Sequence, residues 1–383
     1  MLTCQRDQFD LPPGVTYLSA ASYSPLPRRV MEVGHAGVAR KGRPWMVTSG
    51  IITTENESAR AAAARLVGAR PDDMALVSSI GYGVATAGKV ITPAQGSRVL
   101  VLEEDHASPV LEWMARAPAG RFTIETVRRP EDYDWTSAVI AAIERKDPVP
   151  VSLASISSVH WSDGTVIDVA RIAPVLRRHG AALVVDATQA AGVMDIDVAT
   201  LDPDFLAFPT YKWLLGPYGR AFLYVAPRHH GGTPLEQTAH GRRSVSAESA
   251  PYFADTAYVA DARRFDMGER DHFISMGMAA TGIEMILEWT PAAIRAHVKA
   301  LTDRLADRLA GLPGLRVPDA RYRAPHLLCL SFDGGISDHL TRALAEADIH
   351  VAARIGRLRV SPHVYNDADD IDRMADVIRR QMR

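Results

Sequence analysis

From about residue 55 to residue 290 the chain alternates short, unbroken apolar runs with longer stretches whose apolar residues recur every three to four positions. An unbroken run suits a strand buried on both faces, and the longer period suits a helix that buries one stripe. The runs predict strands at 74–78, 98–102, 122–127, 151–156, 182–185, 205–208 and 221–225. Helices are predicted between them at 55–67, 135–144 and 169–178, an alternation that marks a parallel α/β sheet. The pattern then changes. A helix over 273–288 leads to Pro291 and a second helix through Leu309, after which strands at 327–332 and 357–360 lie beside helices at 338–347 and 369–382. The fold class expected is α/β, with a large domain of residues 15–290 on a mostly parallel seven-stranded sheet. Residues 291–383, with residues 1–14 folded back onto them, are expected to form a smaller α+β domain.

Composition narrows the partners. A net charge of -2 over 383 residues leaves no basic surplus, and the arginine pairs are scattered, so no nucleic-acid partner is expected. Nowhere is there the run of about 20 apolar residues that spans a bilayer, and the first residues mix charge with proline; no membrane association and a cytoplasmic location are expected. Cys4 and Cys329 are the only cysteines and His229-His230 are adjacent, so neither a disulfide framework nor a metal site is expected.

Candidate chemistry gathers at strand ends. The run 181–185 ends in Asp186, and the run 205–208 stops at Pro209 just before Thr210, Tyr211 and Lys212. Open α/β sheets bind ligands at the carboxyl ends of their strands, so the acid and the amine are expected to converge on one crevice. One chemistry uses both. Pyridoxal 5'-phosphate needs a carboxylate to keep its ring nitrogen protonated and a lysine to form a Schiff base with its aldehyde.

Asp186-x-x-Gln189 followed by Lys212 resembles the cofactor signature of the class V aminotransferase family, which also holds cysteine desulfurases, kynureninase and isopenicillin N epimerase-like enzymes. The resemblance covers roughly residues 15–380 and implies a fold type I pyridoxal-phosphate enzyme. It implies that Asp186 pairs with the pyridine nitrogen, Gln189 donates to the ring hydroxyl oxygen, Lys212 carries the cofactor, and Thr210 and Tyr211 bond its phosphate. Residues 78–83 resemble the phosphate loop at Gly81 and Tyr82, without the family's paired threonines. His106 matches the residue that covers the ring and can move protons. Trp161 and Ser22 are candidates for shaping the substrate side, Arg354 matches the arginine that takes the substrate carboxylate, and Arg359 reads as structural. Glu269 stands where relatives place a threonine that reaches the neighbouring subunit's phosphate, so either Arg270 takes over that contact or the turn is a surface ion pair. A homodimer with a shared active site is implied.

The reaction expected is that of a class V aminotransferase-type enzyme on a small amino acid. Persulfide-forming desulfurases need a mobile cysteine shortly before the carboxylate-binding arginine, and 336–353 contains none. A β-lyase, either a cysteine-independent C–S lyase or a kynureninase-like enzyme, and an amino-acid epimerase remain alternatives; kynureninase itself has a histidine where Gln189 stands.

Overall fold

The computed structural model describes residues 2–245 and 250–382, and at its centre lies a seven-stranded sheet. In chain order the strands are β1 (Met74–Val77), β2 (Arg98–Leu102), β3 (Thr123–Val127), β4 (Val151–Ser157), β5 (Ala182–Asp186), β6 (Phe205–Pro209) and β7 (Ala221–Val225). They lie in the order β1-β7-β6-β5-β4-β2-β3, and only β7 runs antiparallel to its neighbours. Each predicted run is a strand, with ends moved by a residue. One such shift matters, because β5 extends through Asp186 and sets it in register with Ser157 on β4 and Ala207 on β6.

Alternation along the strands feeds two cores. Leu183, Val185, Leu206 and Phe222 pack with helices Ser49–Leu66, Val169–Arg178 and Ser275–Trp289, whereas Val184, Ala207 and Leu223 pack under Ile80–Val90 and Ala107–Gly120. Helix Ala107–Gly120 is absent from the sequence-based list. Its two prolines obscured it, yet Pro109 sits in the first turn, where a missing N–H costs nothing. Helix Arg28–Lys41 was also missed, because its buried face is built partly of Gly34 and Gly37 rather than large apolar residues. A Cβ on Gly37 would meet Ile274 Cα at 2.9 Å, so close helix approach replaces side-chain burial there.

A second, antiparallel sheet orders Leu315–Arg316, Leu328–Phe332, Arg357–Val360 and Ala352–Arg354. Helices Pro291–Leu309, Asp338–Glu346 and Ala368–Gln381 cover it with a core of their own. The N-terminal arm is packed onto this layer. Thr16–Tyr17 pairs in parallel with Ile349–His350, and Phe9 meets Tyr365 edge to face at 5.0 Å. Among the described residues no helix is long and apolar enough to cross a membrane.

Candidate active site

A cavity of about 160 Å³ opens at the carboxyl edge of the sheet, between the ends of β1, β4, β5 and β6. Asp186, Gln189, Tyr211, Lys212, His106 and Trp161 all line it. Asp186 is buried, and its Oδ1 accepts the Thr188 N–H at 2.8 Å. Lys212 is 8% exposed and its Nζ makes no hydrogen bond or ion pair among the described residues. Burial, then the nearby Arg359, pull its pKa down to about 8 against the opposing effect of Asp186. An amine so placed is close to neutral at physiological pH and can act as a nucleophile or base.

The loop that delivers Lys212 is closed by Thr210. Thr210 Oγ1 donates to the carbonyls of Pro217, at 2.5 Å, and Arg220, at 3.2 Å, and the residue lies outside the cavity lining. Its single hydroxyl proton is engaged by the backbone here. Gly216 permits the closure, since a Cβ there would meet Thr210 Cβ at 2.7 Å. Tyr211 does face the cavity. Its ring lies 5.4 Å from Lys212 Nζ and packs on Tyr218 at 4.5 Å, and burial pushes its phenol up to about 12.

Gln189 is held from both ends. Its Oε1 accepts from Trp213 Nε1 at 2.8 Å and its Nε2 donates to Ala21 O at 3.2 Å. Indole only donates and a carbonyl only accepts, so the amide orientation is determined and one Nε2 hydrogen remains free. Behind it, His326 Nε2 bonds to Gln189 O at 2.6 Å and His363 Nε2 to Trp213 O at 3.2 Å.

His106 caps helix Ala107–Gly120 and stands exposed at the cavity mouth, edge to face with Trp161 at 5.7 Å. Partial burial lowers its pKa, with Lys212 and Arg359 acting in the same direction against Asp186. Its loop is anchored by Asp105, whose carboxylate accepts the His106 N–H at 2.7 Å and the Ser157 hydroxyl at 2.6 Å. Trp161 Nε1 donates to Glu104 O at 2.8 Å, so the indole both anchors the turn and presents a face to the cavity.

Helix Ile80–Val90 begins at the cavity, and Ser78, Ser79 and Ile80 line it rather than Gly81 and Tyr82. Ser79 Oγ caps the helix by accepting the Tyr82 N–H at 3.1 Å, and the Tyr82 phenol is engaged by Glu236, which raises its pKa behind the dominant effect of burial. Tyr82 is therefore turned away. The first-turn N–H groups of Ile80 and Gly81 have no carbonyl one turn back, so Gly81 can contribute only its backbone to an anion.

Arg354 and Arg359 converge on Ser22, whose Oγ accepts from them at 3.3 and 2.7 Å. Arg354 also donates to its neighbour's carbonyl, Ala353 O, at 2.8 Å. Arg359, read from the sequence as structural, is the more deeply buried of the two. It is 2% exposed, pairs with no carboxylate among the described residues, keeps an unpartnered Nε, and has its pKa lowered to about 10 by burial. Its Nη1 donates to Trp161 O at 3.0 Å. At the Glu269 turn, Arg270 pairs with Asp266 and Asp271, the ion-pair arrangement. Cys329 is buried with its thiol pushed up to about 12, and neither cysteine lines the cavity.

The whole architecture recurs among solved structures. An apo cysteine desulfurase from Thermococcus onnurineus NA1 superposes with a TM-score of 0.84 at 20% identity, covering 98% of this chain and 97% of that one. This is the α/β fold of the fold type I pyridoxal-phosphate enzymes. In sequence, an uncharacterized aminotransferase, YcbU, of Bacillus subtilis is 28% identical across 95% of this chain and 93% of its own length. Isopenicillin N epimerase of Streptomyces clavuligerus is 28% identical across 97% and 96%. The aminotransferase class-V pattern matches residues 16–374, and the chain belongs to that family. It is accordingly an enzyme with pyridoxal 5'-phosphate as cofactor. The cavity fits that group: it joins a buried acid, an unpaired amine and a helix N-terminus, and the buried Thr188 Oγ1 on its wall lacks any partner.

Proposed function

We propose that the protein is a class V aminotransferase-type enzyme acting on a small amino acid, and the observation that carries this is Lys212, buried and unpaired in the same cavity as Asp186. When bound, pyridoxal phosphate supplies an aldehyde for amines and a protonated ring that accepts the electrons of a broken Cα bond. Asp186 would hold the proton on the ring nitrogen, and the free Nε2 hydrogen of Gln189 would go to the ring oxygen. The Ile80 and Gly81 N–H groups would receive the phosphate. His106 would contact the ring from the cavity mouth, and Lys212 Nζ is the base that would remove or return the proton at Cα. Arg359 and Arg354 take the substrate carboxylate, which supplies the anion that Arg359 lacks.

Residues 15–290 would form the cofactor-holding body, and 1–14 with 291–383 the smaller one that brings both arginines to the cavity. A homodimer completes the reading, by analogy with the family. Epimerisation is the second reading, supported by the similarity to isopenicillin N epimerase and by two groups able to carry a proton, Lys212 and His106. β-Elimination without a cysteine nucleophile is a third product of the same carbanion.

The test is an amino-acid panel given to holoenzyme without any amino acceptor. One equivalent of 2-oxo acid per site, then arrest, is the expected transaminase result. Continuous release of pyruvate and ammonia, or inversion with solvent deuterium at Cα, would replace it with the lyase or the epimerase.

A further inference from the structure

We propose a second oxyanion-binding site, outside the cavity, at the N-terminus of helix Ser275–Trp289, where Arg220 and His272, linked through Ser275, take a phosphate or carboxylate group. Arg220 is 8% exposed. Its Nε donates to Ser275 Oγ at 2.7 Å and its Nη1 reaches only the Met267 thioether at 3.9 Å, while no carboxylate pairs with it among the described residues. Removing a guanidinium from water is costly unless an opposite charge meets it. Arg60, more fully buried, shows such a match in its two bonds to Asp266 at 3.0 and 2.8 Å. Arg359 lacks a carboxylate too, but it is bonded to Trp161, which lines the cavity; Arg220 has no such bond and does not line the cavity.

The strand register aims Arg220. Ala221, paired with Val77 and Pro209, faces the core under helix Ile80–Val90, so the preceding side chain points to the opposite face, where helix Ser275–Trp289 begins. Ser275 Oγ accepts from Arg220 and so gives its own proton to His272 Nδ1 at 2.9 Å. The exposed imidazole then carries its hydrogen on Nε2, a second outward donor. A 15-residue helix adds the positive end of its dipole. Nearby carboxylates are already engaged: Asp266 by Arg60 and Arg270, Asp271 by Asn56 at 2.7 Å, and Glu55 by Arg40 at 2.7 Å. Consistently, burial lowers the pKa of Arg220 with no acid opposing it, and His272 is lowered by burial and then by Arg220.

The oxyanion has two sources, a free phosphate-bearing molecule or a group carried by a second copy of the chain. The experiment uses cofactor-saturated holoenzyme in phosphate-free buffer, titrated with inorganic phosphate by calorimetry, with self-association followed by sedimentation. If the anion is free, wild type binds one phosphate per chain and Arg220→Gln weakens it at least tenfold with the visible cofactor band unchanged. If a second copy supplies it, wild type takes up no phosphate and Arg220→Gln weakens self-association at least tenfold. His272→Gln, a surface change, moves the same quantity about threefold and stands in should Arg220→Gln not fold. Unchanged phosphate affinity and self-association in the variants overturn the proposal. The outcome is separable from that of the cavity, because neither readout uses turnover.

Discussion

Arg359 Nη2 donates to Ser22 Oγ at 2.7 Å, and this hydroxyl, not a carboxylate, is what the buried guanidinium faces beside the cavity. A neutral hydroxyl leaves the charge uncompensated, so an incoming carboxylate gains a charge-assisted bond worth about 1.5–3 kcal/mol. Arg359→Gln is therefore expected to raise KM for the amino acid about ten- to hundredfold, and Arg354→Gln, at a less buried arginine, to do less. Steady-state kinetics checks this; equal KM in wild type and Arg359→Gln would remove the arginine from substrate binding.

Lys212 must be neutral to capture the cofactor, and its pKa sits at about 8. The rate at which apoprotein takes up pyridoxal phosphate should climb with pH, reach half its maximum at about 8 and level off above that. Because Arg359 is among the groups that depress this pKa, Arg359→Gln should move the midpoint to higher pH. Stopped-flow absorbance across a pH series reads both; a midpoint near the ordinary lysine value would contradict the burial argument.

Thr210 separates a structural from a cofactor role. Thr210→Val deletes the bond to Pro217 O and leaves buried carbonyls short of a donor, which costs about 1–3 kcal/mol of stability. Denaturant unfolding should show that loss, while the cofactor dissociation constant measured on folded protein changes less than threefold. A large fall in affinity with stability intact would return Thr210 to the phosphate.

His326 and His363 are both enclosed and neutral, with pKa values lowered by burial to about 3 and about 4. Unfolded imidazoles titrate near ~6.5 and each unit of difference is about 1.4 kcal/mol. Between those values the unfolded chain binds more protons, so the stability they contribute is present above about pH 6.5 and is lost as pH falls toward 4 and 3. Melting should drop by several degrees from pH 7 to 5.5, and a His326→Gln/His363→Gln double variant should show a shallower dependence. An identical slope in the variant would assign acid sensitivity elsewhere.

Much of the cavity was legible because its parts are local in sequence. Apolar runs mark strands buried on both faces, and a residue that ends such a run, Asp186, or follows it, Lys212, reaches the carboxyl edge whatever the rest of the chain does. Gln189 follows from Asp186 by a short turn. Less legible were residues whose partners are distant. Thr210 was read from its position beside Lys212, but its hydroxyl is claimed by a carbonyl seven residues on, once the loop closes.

By itself, then, the sequence determined the β-strands, the acid–amine pair and the family, since buried runs and their end residues depend on short-range pattern. Only the tertiary structure shows which of Arg354 and Arg359 is the more deeply buried. They lie on adjacent antiparallel strands, where Ala352 opposes Arg359 and Arg354 opposes Arg357, and which guanidinium is sealed from water depends on packing against Trp161 and Ser22, far away in the chain. The same holds for Arg220, whose missing counter-charge is a property of the space around it rather than of its neighbours in sequence.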